Sequence, residues 1–222
     1  MCGRFAFYSP AEATAALFGA TGTVDLKPRY NIAPTQFIAA VRRNEENANE
    51  LATFRWGLVP FWAKDPSIGN RMINARAETV AEKPSFRNAY RKRRCLILAD
   101  GFYEWHTEGG VKVPYFISLA SGEPCAFAGL WETWQSKDAE ETLQTTTIVT
   151  TAANDFLSRL HHRMPVVLEP ETAGRWLEGD MQLLDEAAAA GPAMQAWPVD
   201  RKVNNARNES PDLADPAGDP VT

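Results

Sequence analysis

The sequence predicts a single α+β domain with a mainly antiparallel, barrel-like β core and flanking short helices. Three observations lead there. Strand-like segments are spread along the whole length, with no internal repeat and no linker between residues 1 and 207. Three of them follow one another across the turns "TEGG" and "SGEP", as consecutive antiparallel strands do. An apolar fraction of 45% with seven tryptophans can fill one core.

Taken in order, "SPAEATAALFG" predicts a short helix, with Ser9 as cap, Pro10 in the first turn, Glu12 completing a capping box and Gly19 as the stop. "TQFIAAVRR" and "ELATFRWGLVP" flank the polar stretch "NEENAN", the pattern of a hairpin. "KPSFRNAYRKRR" reads as a helix opened by Pro84, and its basic end suits a helix C-terminus. "RCLILADGFYEWH", "VKVPYFISLA" and "CAFAGLWETW" are the consecutive strands, and "TTTIVTT" is a further, β-branched one. "ANDFLSRL" predicts a short helix. Past "HHRMPVVLE", helices are expected at "PETAGRWLEG" and "MQLLDEAAAA". Residues 208–222, "NESPDLADPAGDPVT", are acidic, rich in Pro and Asp and poor in large apolar side chains. They are expected to form a disordered tail behind a domain spanning 1–207.

The formal net charge of -5 argues against a nucleic-acid partner, but its distribution argues for one. The first 105 residues carry fifteen Lys and Arg against ten Asp and Glu, the remainder eight against eighteen. That asymmetry suggests one positive face; two merely solvated halves would give the same counts. No run of eighteen apolar residues exists, so no membrane span is expected. No basic-then-apolar leader opens the chain, so no secretory signal is expected either. The three cysteines, Cys2, Cys95 and Cys125, are scattered and odd in number, which fits a reducing cytoplasm better than a disulfide framework. A cytoplasmic monomer is the expectation.

Cys2 directly follows Met1. Methionine removal is expected before so small a residue, and it would leave a terminal cysteine with an α-amine (pKa about 7.7–8.0) beside a thiol (pKa about 8.5). Such a 1,2-aminothiol condenses with an aldehyde to an imine, and the thiol then closes a five-membered thiazolidine. An idle, buried cysteine is the plainer alternative.

"MCGRF", "YNIAPTQ", "RWGLVPFWA", "INARAET", "GFYEW" and "HHRMP" stand here in a fixed order. Together they resemble the SRAP (SOS response-associated peptidase) family, from residue 2 to about residue 207. The resemblance implies covalent capture of abasic sites in single-stranded DNA by the N-terminal cysteine; the family name records an older proposal of peptidase activity. It makes Cys2 the nucleophile and Asn74 an active-site amide able to hold the terminal amine or a sugar oxygen. Glu104, which strand alternation sets on one face with Phe102 and His106, becomes a proton-transfer carboxylate. His161 takes the first position of the family's His-x-Arg-Met-Pro pattern and becomes a proton carrier, while His162 fills the variable place.

Arg4, Arg76 and Arg163 each lie within two residues of one of these positions and are candidate phosphate contacts. Arg71 and the "RKRR" run of Arg91 to Arg94 are looser candidates, the run reading first as a solvated helix end. Trp62, beside Phe61, is a candidate to stack on a base. Ala63 follows where some relatives carry another aromatic. Trp56, Cys95 and Cys125 are expected in the core, His106 as an ordinary strand histidine, and Asn31 and Pro34 shaping a nearby loop. Adjacent histidines make no chelating set, so neither a metal nor another cofactor is expected. The expected function is to sense and shield abasic sites in single-stranded DNA, with strand cleavage by β-elimination as a side reaction. Two other readings use the same residues: a cysteine peptidase of the N-terminal-nucleophile type, and a non-covalent binder of modified DNA.

Overall fold

A computed structural model describes residues 2–136 and 141–221. Met1 and Thr222 lie outside the described residues, so the expected loss of Met1 does too. In chain order the elements are β1 (Phe5–Phe7), α1 (Ala11–Leu17), β2 (Arg29–Ile32), β3 (Phe37–Arg43), β4 (Asn49–Trp56), β5 (Asn74–Arg76), α2 (Arg87–Lys92) and β6 (Arg94–Ala99). They continue with β7 (Gly101–Glu108), β8 (Val111–Leu119), β9 (Cys125–Gln135), β10 (Thr142–Ala152), β11 (Arg163–Pro165), β12 (Val167–Leu168), α3 (Pro170–Glu178), α4 (Leu183–Ala190) and β13 (Met194–Pro198).

Five strands close on themselves. β10 pairs with β4, then β3, β6 and β9 follow, and β9 pairs back to β10. Closure removes the free sheet edges. β5 and β11 also pair with β10, and β12 with β9. A second, five-stranded sheet runs β13-β8-β7-β1-β2. The pairing is antiparallel except where β4 and β5 run parallel to β10. The main apolar core fills the barrel and reaches the second sheet, with Trp56, Phe54, Phe127, Leu96 and Phe5 all buried.

The expected α+β class with a barrel-like, mainly antiparallel core is what the molecule adopts, and several element details differ. Ser9 does not cap α1. Its N–H and hydroxyl both bond the Asp100 carboxylate (2.9 and 2.5 Å), which also accepts from the Tyr8 N–H (2.6 Å), and α1 has no side-chain cap. "RCLILADGFYEWH" is two strands, because the chain crosses at Asp100 from the barrel (β6) into the second sheet (β7). The helix expected from Pro84 is only the six residues of α2. Arg93 leaves the helical region, and the apolar run after it joins the barrel between β3 and β9. "ANDFLSRL" contributes a single 3-10 turn, Leu157–Arg159.

The segment expected to be disordered is packed through residue 221. Leu213 is fully buried in a second apolar cluster with Ala6, Tyr103, Phe116 and Val203. Arg29 pairs with Glu209 at 2.6 Å, and the Trp197 indole N–H donates to the Ala214 carbonyl (2.8 Å). Composition missed this because one well-placed leucine and a handful of backbone bonds anchor a segment whose average is polar. Leu213→Ala is expected to destabilise the protein by about 3 kcal/mol, read as a lower urea midpoint at unchanged slope. An unmoved midpoint would mean that the segment does not dock in solution.

Candidate active site

Cys2 is brought into the interior by the strand that follows it. β1 is paired on both sides, Phe5 lying opposite Ile32 of β2 and Phe102 of β7. The Tyr103 N–H donates to the Arg4 carbonyl (2.9 Å), so the chain before β1 runs along β7 toward Glu104. Cys2 itself is fully buried, its Sγ 3.9 Å from the Arg4 carbonyl. Burial, and after it the charge of Glu104, push its thiol well above the usual range, so it is a neutral S–H at pH 7.

Asn74 begins β5 and donates through Nδ2 to the Cys2 carbonyl (2.8 Å). Its Oδ1 is buried and has no hydrogen-bond partner among the described residues. A buried acceptor left open costs stability on the order of 1–3 kcal/mol, and such atoms are uncommon unless something else fills them.

Glu104 is 5% exposed on β7. Strand alternation works as expected here, with Phe102 in the main core and Tyr103 in the second cluster. His161, between the 3-10 turn and β11, lies with Nδ1 3.9 Å from Glu104 Oε1. The Arg163 N–H lies 3.0 Å from the same Nδ1. The Arg163 carbonyl lies equally close to Nδ1 (3.0 Å), so the tautomer decides whether this nitrogen accepts from the Arg163 N–H or donates to the carbonyl. His162 is exposed and stacks on His161, ring centroids 4.4 Å apart; positive charge on His161 is the main influence holding its pKa below the usual value. His106 Nδ1 is bonded to the Leu160 carbonyl, an ordinary strand position.

The structure therefore brings Cys2, Asn74, Glu104 and His161 together from four separate parts of the chain. The six candidate DNA contacts divide into two groups. Arg4 and Arg163 are engaged within the protein. Arg4 Nη1 donates to Asn31 Oδ1 (2.6 Å) and to the Val203 carbonyl (2.7 Å), and burial lowers its pKa. Arg163 forms a two-pronged pair with Glu78 and also donates to Thr150 O (2.7 Å). The other four are exposed: Phe61, Trp62, Arg71 and Arg76. Arg76 ends β5, two residues from Asn74; its guanidinium has no hydrogen bond or ion pair among the described residues, although after Arg163 its charge also helps hold the Glu78 carboxylate below the usual range. Trp62 and Arg71 line a 240 Å³ groove together with Lys64, Asp65 and Ile68.

Two glycines allow that groove. The loop after β4 crosses the 3-10 helix Pro66–Arg71 so closely that a Cβ on Gly57 would lie 2.5 Å from the Gly69 carbonyl oxygen, and one on Gly69 equally close to that of Gly57. Gly57 also has φ +122, open only to glycine without strain. Ala63, beyond the exposed pair, is buried against Val59 and Trp134. Asn31, expected to shape a loop, is buried and ties β2 to the C-terminal segment through the carbonyls of Val203, Asn205 and Asn208. Trp56, Cys95 and Cys125 are core residues as expected.

Glu78 and Thr150 are parts of the site that sequence reasoning missed. Glu78 stands inside "INARAET", two residues after Arg76, and that proximity was the available signal. Nothing in the sequence pointed to Thr150, which reaches Arg163 only through strand pairing. No three His, Cys, Asp or Glu side chains gather to hold a metal ion among the described residues, and none of the described helices is long and apolar enough to cross a membrane.

Because the thiolate is the reactive form, iodoacetamide at pH 8 is expected to label Cys2 of the folded, Met1-retaining protein at least about tenfold more slowly than free cysteine. A rate equal to that of free cysteine, read by peptide mass mapping, would contradict the burial of this thiol.

Residues 1–206 match the family model described as SOS response associated peptidase (SRAP). The chain is 41% identical to the abasic site processing protein YoqW of Bacillus subtilis, over 96% of this chain and 98% of that one. It is 36% identical to the abasic site processing protein YedK of Escherichia coli, over 97% and 100%. Among solved structures, a protein from Bacteroides thetaiotaomicron superposes with a TM-score of 0.85 at 26% identity, covering 97% of this chain and all of that one. With its ordered motifs, its fold and its full-length relatives in agreement, the chain belongs to the SRAP family.

Proposed function

We propose that this protein processes abasic sites in single-stranded DNA by capturing the ring-opened sugar on Cys2 as a thiazolidine. The observation that carries the reading is Asn74. Its amide holds the Cys2 carbonyl, while its buried Oδ1 has no hydrogen-bond partner among the described residues. Loss of Met1 would free an α-amine to meet that acceptor. The names of relatives in two bacteria, abasic site processing proteins, support the substrate.

The amine adds to the C1′ aldehyde, and the resulting carbinolamine loses water to give the imine. His161, its ring positioned by the Arg163 backbone and facing Glu104, supplies the proton that departs with water. The buried Cys2 thiol then adds to the imine carbon. Its proton passes to the nitrogen, with Glu104 as the nearby carboxylate able to carry it. Aldehyde and aminothiol become thiazolidine and water, so no redox or metal step enters the balance. Ring closure competes with β-elimination, because the imine also acidifies the neighbouring C2′ proton.

The strand would run from Arg76 across the exposed face of Trp62, Phe61 and Arg71. Stacking of a base on an aromatic contributes roughly 1–3 kcal/mol and is indifferent to sequence. Arg76 is the phosphate contact of the set nearest Asn74, exposed and with its guanidinium outside any hydrogen bond or ion pair among the described residues. A phosphate at Arg163 would have to exchange with Glu78.

Incubation with single-stranded abasic DNA is expected to give a heat-stable, slower-migrating adduct. Cys2→Ala and an uncleaved N-terminal tag should each abolish it, the second by blocking the amine alone. Adduct formation by protein whose intact mass retains Met1 would overturn the thiazolidine, and peptide cleavage without any adduct would favour the peptidase reading. Separately, Arg76→Gln is expected to weaken binding and lower the salt slope by about 0.7, one phosphate contact on a single strand. An unchanged slope removes Arg76 from the phosphate path.

A further inference from the structure

The "RKRR" run is not absorbed by the lesion site. It borders a separate pocket of 340 Å³ between α2, the β3–β4 loop and the end of α3. Arg43, Arg91, Lys92 and Arg94 line it, against one carboxylate, Glu178. Glu178 is itself mostly solvated and reaches only Arg43, at 3.5 Å. The side chains of Arg91, Lys92 and Arg94 have no hydrogen bond or ion pair among the described residues.

Arg94 is the unusual member. Its guanidinium is half-buried, lying 5.2 Å from the Tyr90 ring and 5.4 Å from the Trp176 ring. It packs so close to Gly179 that a Cβ there would stand 2.9 Å from Nη1. Its Nε is buried and unpartnered. Burial lowers its pKa, as it does for a cation that has lost water and gained no anion. The two aromatic faces and the C-terminal turn of α3 answer part of the charge but supply no hydrogen-bond acceptor. A half-buried guanidinium with its planar fork unsatisfied suits a phosphate, which it can bind through two parallel N–H bonds.

Strand register separates this pocket from the lesion site. Arg94 lies opposite Leu130 of β9, Leu130 opposite Thr147 of β10, and β10 pairs with Asn74 of β5. Three strand spacings give roughly 14 Å around the barrel. An adjoining groove of 740 Å³ shares Arg43, Asn44, Lys92 and Trp131 with the pocket, but it also carries Glu45, Glu46 and Glu50, and its Arg42 and Arg93 pair with Glu50 and Glu132.

We propose that this pocket is a second, lesion-independent site for phosphate groups, taking either the backbone of a nucleic-acid strand or free phosphate. The exposed, unpaired side chains of Arg91 and Lys92, adjacent along α2 at the pocket rim, favour the backbone.

Two probes separate the sources, and neither contains an abasic site, so the result does not depend on Cys2 chemistry. The Trp131 indole N–H is followed by NMR during titration with inorganic phosphate. The salt slope of binding to an undamaged single-stranded oligonucleotide is measured in parallel. Arg91→Gln/Lys92→Gln alters only exposed side chains, so its fold is expected to be intact, as thermal melting will check; Arg94→Gln is the second variant. If the backbone is the ligand, the double variant lowers the oligonucleotide slope by about 1.4, two phosphate contacts on a single strand. If free phosphate is the ligand, the slope is unchanged, while phosphate shifts the indole signal of the parent protein saturably and that shift is lost in the folded variants. An unchanged slope together with no saturable shift in the parent overturns the proposal.

Discussion

Phe5 is the residue on which the candidate site depends. An N-terminal segment frays unless tertiary contacts hold it. Here Phe5 inserts into the barrel core, its ring 5.2 Å from Trp56 and 5.7 Å from Phe127. The strand around it is paired on both edges, by β2 and β7. Three residues upstream, Cys2 has no freedom to leave the interior. The burial that keeps its thiol neutral, the reach of Asn74 to its carbonyl and the closeness of Glu104 all follow from that anchored strand.

The site is assembled around the end of one barrel strand. β10 carries β5 on one side and β11 on the other, so Asn74 and Arg76 arrive from one neighbour and Arg163 from the other, with His161 just ahead of it. β7 of the second sheet supplies Glu104. The parallel pairing of β5 with β10 sets the register that faces Asn74 toward Cys2. The close crossing of Gly57 over Gly69 then holds the exposed Trp62 next to the segment leading into β5. Rigid pairing on one side and a solvent-facing aromatic on the other place chemistry and strand binding side by side.

Charge is partitioned by partner rather than by sequence neighbourhood. Arg4 and Arg163 sit nearest the candidate nucleophile and His161 in sequence, yet both satisfy protein acceptors: Asn31 and Val203 in one case, Glu78 and Thr150 in the other. Their role in the free protein is to fix backbone and loops. The side chains of Arg76, Arg91, Lys92 and Arg94 have no such acceptor within hydrogen-bond reach among the described residues, whereas Arg43 and Arg93 pair with Glu178 and Glu132. An unpaired guanidinium near an apolar wall binds an anion more strongly than one already satisfied, because less is surrendered on binding.

Local pattern made much of this legible. The alternation of β7 put Glu104 on one face with Phe102, the hairpin around "NEENAN" followed from its polar loop, and the resemblance carried by the ordered motifs implied Cys2, Asn74, Glu104 and His161 as a set. These readings depend only on neighbours within a few residues or on short strings. What the sequence left undecided were features made by distant partners. Asp100 divides one apolar run into two sheets and takes Ser9 from its helix. Leu213 docks a polar tail, and Glu78 and Thr150 hold Arg163. Each needs groups that lie far apart along the chain, and only the closed barrel and its paired second sheet fix which distant groups meet. Side-chain chemistry can therefore be read in one dimension, while the partner that satisfies each polar group is chosen in three.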